Sequence, residues 1–444
     1  MRKDNTFFGQ PLYGQLINLL DKVKILQLSR QHNGERYIKR FDGWHHVVVM
    51  LYAVLMRFDS LREITAAMLS NARKLHHLGI TSMPYRTTLS DANKRRPAVF
   101  FESVYRHLYA KYKYILFSDS RNGKTYKWME RLQILDSTTI SLFSNLIFKG
   151  AGRNPKTGKK KGGVKVHSIM HANEGVPNDV CFTSAATHDS FMLAPNKFKR
   201  DDILAIDRAY INYSKFEQLT EMGVIYVTKM KSNLKYEILS DTCYQRPDGL
   251  TEVRVLVVEF AKKVSEEQTI KHKARIIIYC DEKKGKLIQL LTNDFAMDTE
   301  DIIEIYHQRW QIELLFKQIK QNFPLHFFYG ESENAIKIQV WVTLIANLLL
   351  TIMQRQIKHP WSFSGLATMM RILLMQYVSL AFFEEPERAW ADVLAQYTKS
   401  PPKLEAIQTQ LFYGGLTSKK TSNALLIDSA LDETQMPITF FIGQ

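Results

Sequence analysis

Near residue 130 the chain changes its hydrophobic period, and that change limits what it can fold into. Before it, apolar residues follow helical spacing: GWHHVVVMLYAVLM (43–56) is nearly all apolar, and AVFFESVYRHLYAKY (98–112) continues the pattern. Between them Ser60 and Glu63 form a capping box ahead of a helix, and Pro84 precedes TLSDANKRR, where Thr88 or Ser90 is expected to cap. After residue 130 the pattern becomes short β runs. RLQILD (131–136), GVKVHSIMHA (163–172), PNDVCFTSAA (177–186), DILAID (202–207) and VIYVTKM (224–230) read as strands, with Asn173-Glu174-Gly175 as a hairpin link. Three further runs follow at 252–260, 274–280 and 287–294. A helix over Tyr213–Met222 interrupts the strands, and Asp189–Asn196 offers another. A helix capped by Thr299 is expected to continue to Lys320, before Pro324. Helices then fill 330–412, whereas the segment after Gly414-Gly415 has no readable pattern. The expected class is therefore α/β, with a helical region on each side of a mixed sheet.

Charge narrows the partner. Of 444 residues, 60 are Lys or Arg and 44 are Asp or Glu, a net charge of +16 that favours a polyanion such as nucleic acid. With 45% hydrophobic residues the chain can bury a large core, which excludes global disorder. Cys181, Cys243 and Cys280 are far apart and give neither a disulfide framework nor a cysteine zinc motif. The N-terminus lacks the apolar core of a secretory signal, so a cytoplasmic location is expected. Ile338–Met353 is apolar, but Gln339, Thr343, Asn347 and Thr351 recur every fourth residue, the mark of a buried helix with one polar edge rather than a membrane span.

Two strand candidates end on an acid: Asp136 after RLQIL and Asp207 after DILAI. Alone, each reads as a turn or cap residue. A third acid sits in Tyr306-x2-Arg309-x3-Glu313-x6-Lys320, whose offsets of 3, 7 and 14 put a hydroxyl, two cations and a carboxylate within about 60° on one helical face. A solvated charged face is the competing reading, although Trp310, Ile312, Leu315, Phe316 and Ile319 supply packing elsewhere on that helix. Residues 149–165 contain seven Lys or Arg and no acid, including Lys159, Lys160 and Lys161, and read as a basic loop able to meet a phosphate backbone. The helix ending Lys94-Arg95-Arg96 has two readings: a DNA-contacting end, or cations that suit its own dipole.

The spacing Tyr306/Arg309/Glu313/Lys320 resembles the Y-R-E-K signature of IS4-family DDE transposases, and LQILDSTTI and ILAIDRAYI are similar to that family's two aspartate segments. The resemblance covers residues 130–355; the start Phe8-Gly9-Gln10-Pro11-Leu12 and TLSDANKRRP resemble the helical domain preceding the core in one branch. It implies a ribonuclease-H-like core at 126–355 with a β-rich insertion at about 224–296, an all-α DNA-binding domain at 1–125, and a helical C-terminal region at 356–444. It also implies that Asp136, Asp207 and Glu313 hold two Mg²⁺ ions, Mn²⁺ substituting, because hard oxygen donors suit these cations. Tyr306, Arg309 and Lys320 would hold phosphates, with Arg95, Arg96 and Lys159–Lys161 as further DNA contacts. Double-stranded element ends and target DNA are the implied partners, and a homodimer the implied assembly in a bacterial cytoplasm. Relatives stabilise a flipped base with a tryptophan of the insertion; no Trp lies between Trp128 and Trp310, leaving Tyr226 or Tyr279 for that role.

Other chemistries fit less well. Gly152 to Gly158 followed by Lys159-Lys160 lacks the Ser or Thr of a phosphate-binding loop. His167 and His171 fall in a β segment, where four-residue spacing does not make a helical zinc pair, and Asp189 reads as a helix cap. No activated-serine motif occurs. A nuclease that cuts without joining and a catalytically silent DNA-binding regulator are the alternatives, the second disfavoured by the full set of acids.

Overall fold

The computed structural model describes residues 9–117, 126–141, 163–185, 187–246, 252–263, 269–281, 285–388, 391 and 394–395. Residues Met1–Pro386 form one compact unit, and Glu387–Gln444 a second of which few residues are described. The basic stretch bearing Lys159, Lys160 and Lys161 lies outside the described residues.

The first unit begins with six helices: α1 (Leu12–Ile17), α2 (Lys22–Gln31), α3 (Gly43–Met56), α4 (Leu61–Ser70), α5 (Arg86–Arg95) and α6 (Ala98–Phe117). The capping box ahead of α4 forms: Ser60 accepts from the Glu63 backbone N–H at 3.3 Å, while Glu63 accepts from the Asp59 N–H at 2.9 Å. Helix α5 starts earlier than its sequence suggests. Tyr85 is its N-cap without a side-chain bond, so Thr88 and Ser90 lie inside the helix.

Nine strands then build one mixed sheet: β1 (Leu132–Ser141), β2 (Gly163–His171), β3 (Asp179–Ser184), β4 (Ile203–Ile206), β5 (Ile225–Lys229), β6 (Glu237–Gln245), β7 (Glu252–Lys263), β8 (Thr269–Asp281) and β9 (Lys286–Thr292). Their spatial order is β3-β2-β1-β4-β5-β9-β8-β7-β6. β4 lies parallel to both β1 and β5, and every other pairing is antiparallel. Gly175 turns the β2–β3 link at φ +67°, a conformation that glycine adopts without a Cβ clash. Helix α7 (Tyr213–Glu221) joins β4 to β5, and the strands after β5 continue the same sheet. β6 has no counterpart in the sequence reading. Its residues are all exposed at the sheet edge, so EILSDTCYQ carries no buried period to reveal it.

The segment 298–322 is two helices, α8 (Thr299–Gln308) and α9 (Trp310–Asn322), broken at Arg309. Asp298, rather than Thr299, caps α8 by accepting from the Glu300 N–H at 3.0 Å; Thr299 is buried and accepts from Arg275 at 2.9 Å. Residues 189–197 form two 3-10 turns instead of one helix.

Helix α10 (Glu333–Gln356) is the one helix among the described residues long and apolar enough to cross a membrane, but it lies inside the protein, packed against α3, α6 and α11 (Phe363–Leu373). All four polar residues of its edge are buried. Gln339 accepts from the Tyr329 N–H at 2.9 Å and donates to the carbonyls of Pro324 and Phe327 at 2.8 and 2.7 Å. Asn347 accepts from Gln318 at 2.8 Å, tying α9 to α10. Gln339→Ala would remove the side-chain partner of two buried backbone groups, the Tyr329 N–H and the Pro324 carbonyl, and at roughly 1 kcal/mol or more for each it is expected to destabilise the unit by about 2 kcal/mol in urea unfolding. An unchanged midpoint would mean that water replaces the amide.

An acidic groove clamped by arginine

The parallel register of β1 and β4 sets the first half of the site. Leu135 pairs with Ile206, so the next residues, Asp136 and Asp207, stand side by side on neighbouring strands. The apolar residues before them, Ile134, Leu135, Ala205 and Ile206, are buried and fix both backbones. Asp136 accepts from the Ser137 N–H at 2.7 Å, and Asp207 begins the tight turn at Arg208–Tyr210.

Helix α9 supplies the second half. Its buried Ile312, Leu315, Phe316 and Ile319 face the core, which turns Glu313 and Lys320 toward the strand ends. One groove is lined by Asp136, Ser137, Glu313 and Lys320. Arg309, at the break between α8 and α9, bridges the acids: Nη1 donates to Asp136 Oδ2 at 3.2 Å and Nη2 to Glu313 Oε1 at 2.6 Å. Its Nε is buried without a partner among the described residues. The guanidinium carbon lies 5.7 Å from the Tyr306 ring centre. Tyr306, Arg309, Glu313 and Lys320 thus flank the aspartates; Arg309 itself keeps a right-handed helical backbone (φ −52°, ψ −30°), so the four hold helical spacing across the junction.

Burial pushes the Asp136 carboxyl up to about 6; Ser137 and Arg309 oppose that rise, and the Asp207 and Glu313 charges add to it. Burial likewise lowers Lys320, and raises Tyr306 against the pull of Arg309. Beside Asp136, Ser137 Oγ donates to Asp189 at 2.7 Å, and Lys165 Nζ donates to the same carboxylate at 3.3 Å. Asp189 is therefore no helix cap; His188 caps that turn through the Ser190 N–H. His167 is bonded to Thr183 at 2.8 Å and burial pushes it down to about 4, so it stays neutral at pH 7 and has no second histidine to complete a zinc pair.

Among the described residues no three His, Cys, Asp or Glu side chains converge closely enough to hold a metal. The donor chemistry nevertheless fits a hard divalent cation. The set is all oxygen, and burial, with a smaller contribution from the Asp207 and Glu313 charges, raises Asp136, a cost that a bound cation would offset.

Arg96 does not belong with the DNA contacts. It is 2% exposed, with Nε donating to Gly34 O at 3.1 Å and Nη2 to Phe41 O at 3.0 Å, and so it anchors the α2–α3 connection. Arg95 alone of the pair is exposed, 3.9 Å from Asp91. Tyr226 is buried and bonded to His272 at 2.6 Å, which removes it as a base-stacking candidate. Tyr279 is buried too, at 2% exposed, although it edges a cleft of about 680 Å³ with Tyr306 and the exposed Trp310, a tryptophan inside the signature itself.

A mixed α/β sheet with one acid inside β1 and a second directly after the parallel strand β4, facing a third acid on a packed helix, is an architecture of the DDE class. The chain belongs to the DDE transposases: the family model described as a transposase DDE domain matches residues 127–349. A second model, a domain of unknown function, matches residues 8–81. The chain is 28% identical over 274 residues to a candidate transposase of Sinorhizobium fredii, covering 61% of this chain and 72% of that one. It is 25% identical over 241 residues to a candidate transposase for insertion sequence element IS5377 of Geobacillus stearothermophilus, covering 54% and 61%. It is also 23% identical over 288 residues to the transposase for element IS231D of Bacillus thuringiensis subsp. finitimus, covering 51% and 57%. Membership of this family implies action on DNA and use of divalent ions.

Proposed function

We propose that the protein binds the terminal inverted repeats of its own insertion sequence, cleaves the phosphodiester at each end and joins the freed 3′ ends to target DNA. The single observation that carries this reading is the convergence of Asp136, Glu313 and Arg309, with Asp207 on the adjacent strand. The strand order β3-β2-β1-β4-β5 supports a ribonuclease-H-like core, and β6–β9 extend it as the insertion.

In this reading Asp136, Asp207 and Glu313 hold two Mg²⁺ ions, which when bound would activate water or a 3′-hydroxyl and neutralise the leaving oxygen. The chain's own groups do the rest. Arg309 swings its fork from the carboxylates to the scissile phosphate, where planar, bidentate donors match the anion. Its unpartnered Nε supports that second role. Tyr306 backs the guanidinium through its ring face, and Lys320 holds an adjacent phosphate as a point charge. Two protomers, one per element end, would pair the ends before joining.

DNA taken from just outside the reading frame tests this. With Mg²⁺ the wild-type protein is expected to cut at discrete inverted ends, and Glu313→Gln to lose the cut while still binding. Equal cutting by both proteins would remove Glu313 from the site; binding without cutting by wild type would favour the silent regulator.

A further inference from the structure

Three cations gather in a cleft next to the one that holds Tyr306 and Arg309. Arg208 follows Asp207 directly, Lys229 ends β5, and Lys231 lies just beyond it. All three line one cleft of about 420 Å³, with Ser232 and Gln289 as neutral polar neighbours and no acid in its lining. Arg208 is exposed, and Lys229 and Lys231 are half-buried. No carboxylate among the described residues pairs with any of them. Three cations lining one cleft without an acid favour a polyanion there.

The cleft is not isolated. Lys229 also lines the larger cleft with Tyr306 and Arg309, and Arg309 reaches Asp136 in the acidic groove. Cationic side chains therefore follow one another from Lys320 through Arg309 and Lys229 to Arg208 and Lys231, with the carboxylates partway along.

We infer that Arg208, Lys229 and Lys231 form a second phosphate-binding track, which holds the backbone of end DNA beyond the phosphate held by Arg309. The inference rests on the transposase reading for which DNA is bound, but not on whether the bond is broken. Gln289 and Ser232 add hydrogen-bond donors that suit phosphate oxygens without reading base sequence.

The test measures binding of full-length protein to a duplex bearing the element end, in the Glu313→Gln background, at several KCl concentrations by fluorescence anisotropy. Replacing Arg208, Lys229 and Lys231 together with Gln is expected to flatten the slope of log affinity against log salt by about 2 to 3, one unit or slightly less for each lost phosphate contact. The affinity loss between 50 and 200 mM salt then becomes about 20- to 60-fold smaller. Lys235→Gln, an exposed neighbour outside the cleft lining, is the control and should leave the slope within about 0.5 of the parent, less than one contact. A thermal melt confirms that each variant is folded. A triple variant with the parent slope, or a control that falls as far, overturns the track. Failure of wild type to cut in Mg²⁺ while the triple variant loses its slope would instead overturn the catalytic reading and leave the track standing.

Discussion

Replacing Asp136 with Asn is expected to abolish DNA cleavage by at least about 1,000-fold and, in metal-free buffer at pH 7, to make the protein more stable. The first effect follows if, as proposed, Asp136 would hold a divalent ion that supplies several kcal/mol of transition-state stabilisation, at about 1.4 kcal/mol for each tenfold. The second follows from burial. The Asp136 carboxyl is raised to about 6 in the folded protein, above its ordinary value, so the folded state holds its proton more tightly than the unfolded state does. Stability is then greatest at low pH with respect to this group. It falls as pH rises from about 4 to about 6, and the full cost, up to about 3 kcal/mol, persists above that window. Asparagine keeps the size and can still accept from Ser137, but carries no charge to bury. Urea midpoints of wild type and variant, measured from pH 4 to pH 8 with a chelator, should coincide at the acid end and separate above pH 6. A variant less stable than wild type at pH 7 would mean that the Arg309 pair outweighs desolvation. Stability sacrificed at a site in this way is common where function requires like charges to converge.

The second large effect separates two adjacent arginines. Arg96→Ala is expected to destabilise the protein by about 3 to 5 kcal/mol, because the Gly34 and Phe41 carbonyls lose their donor and Glu35, 3.9 Å away, loses its cation. Arg95→Ala, at an exposed side chain, should cost less than about 0.5 kcal/mol. If Arg95 meets DNA, its removal lowers the salt slope by about one. Unfolding curves and salt titrations on both variants divide the roles; comparable stability losses would contradict the burial of Arg96. The basic end of α5 is thus part anchor and part candidate contact. Sequence treated the two residues alike, since neighbours on a helix point about 100° apart and only packing decides which one meets water.

The sequence by itself determined the mixed α/β class and singled out Asp136, Asp207 and Glu313 as the candidate acids. Short apolar runs ending at Asp136 and Asp207 required strands, and the spacing Tyr306/Arg309/Glu313/Lys320 required a helix face, because periods of two and 3.6 are local properties of the chain. Of strands β6 to β9, three carried the same local signal. Edge strand β6 did not, since its residues bury nothing. The tertiary structure alone decided which strands adjoin, and so that Asp136 and Asp207 are neighbours across some seventy residues of chain. It also broke the 298–322 helix at Arg309, where the guanidinium can span Asp136 and Glu313 at once. Asp189, read as a cap, became the partner of Ser137 and Lys165, and Arg208, Lys229 and Lys231 were brought into one cleft. Period and propensity act over a few residues and are written in order along the chain. Contact between charges depends on the register and packing of distant elements, which no local pattern contains.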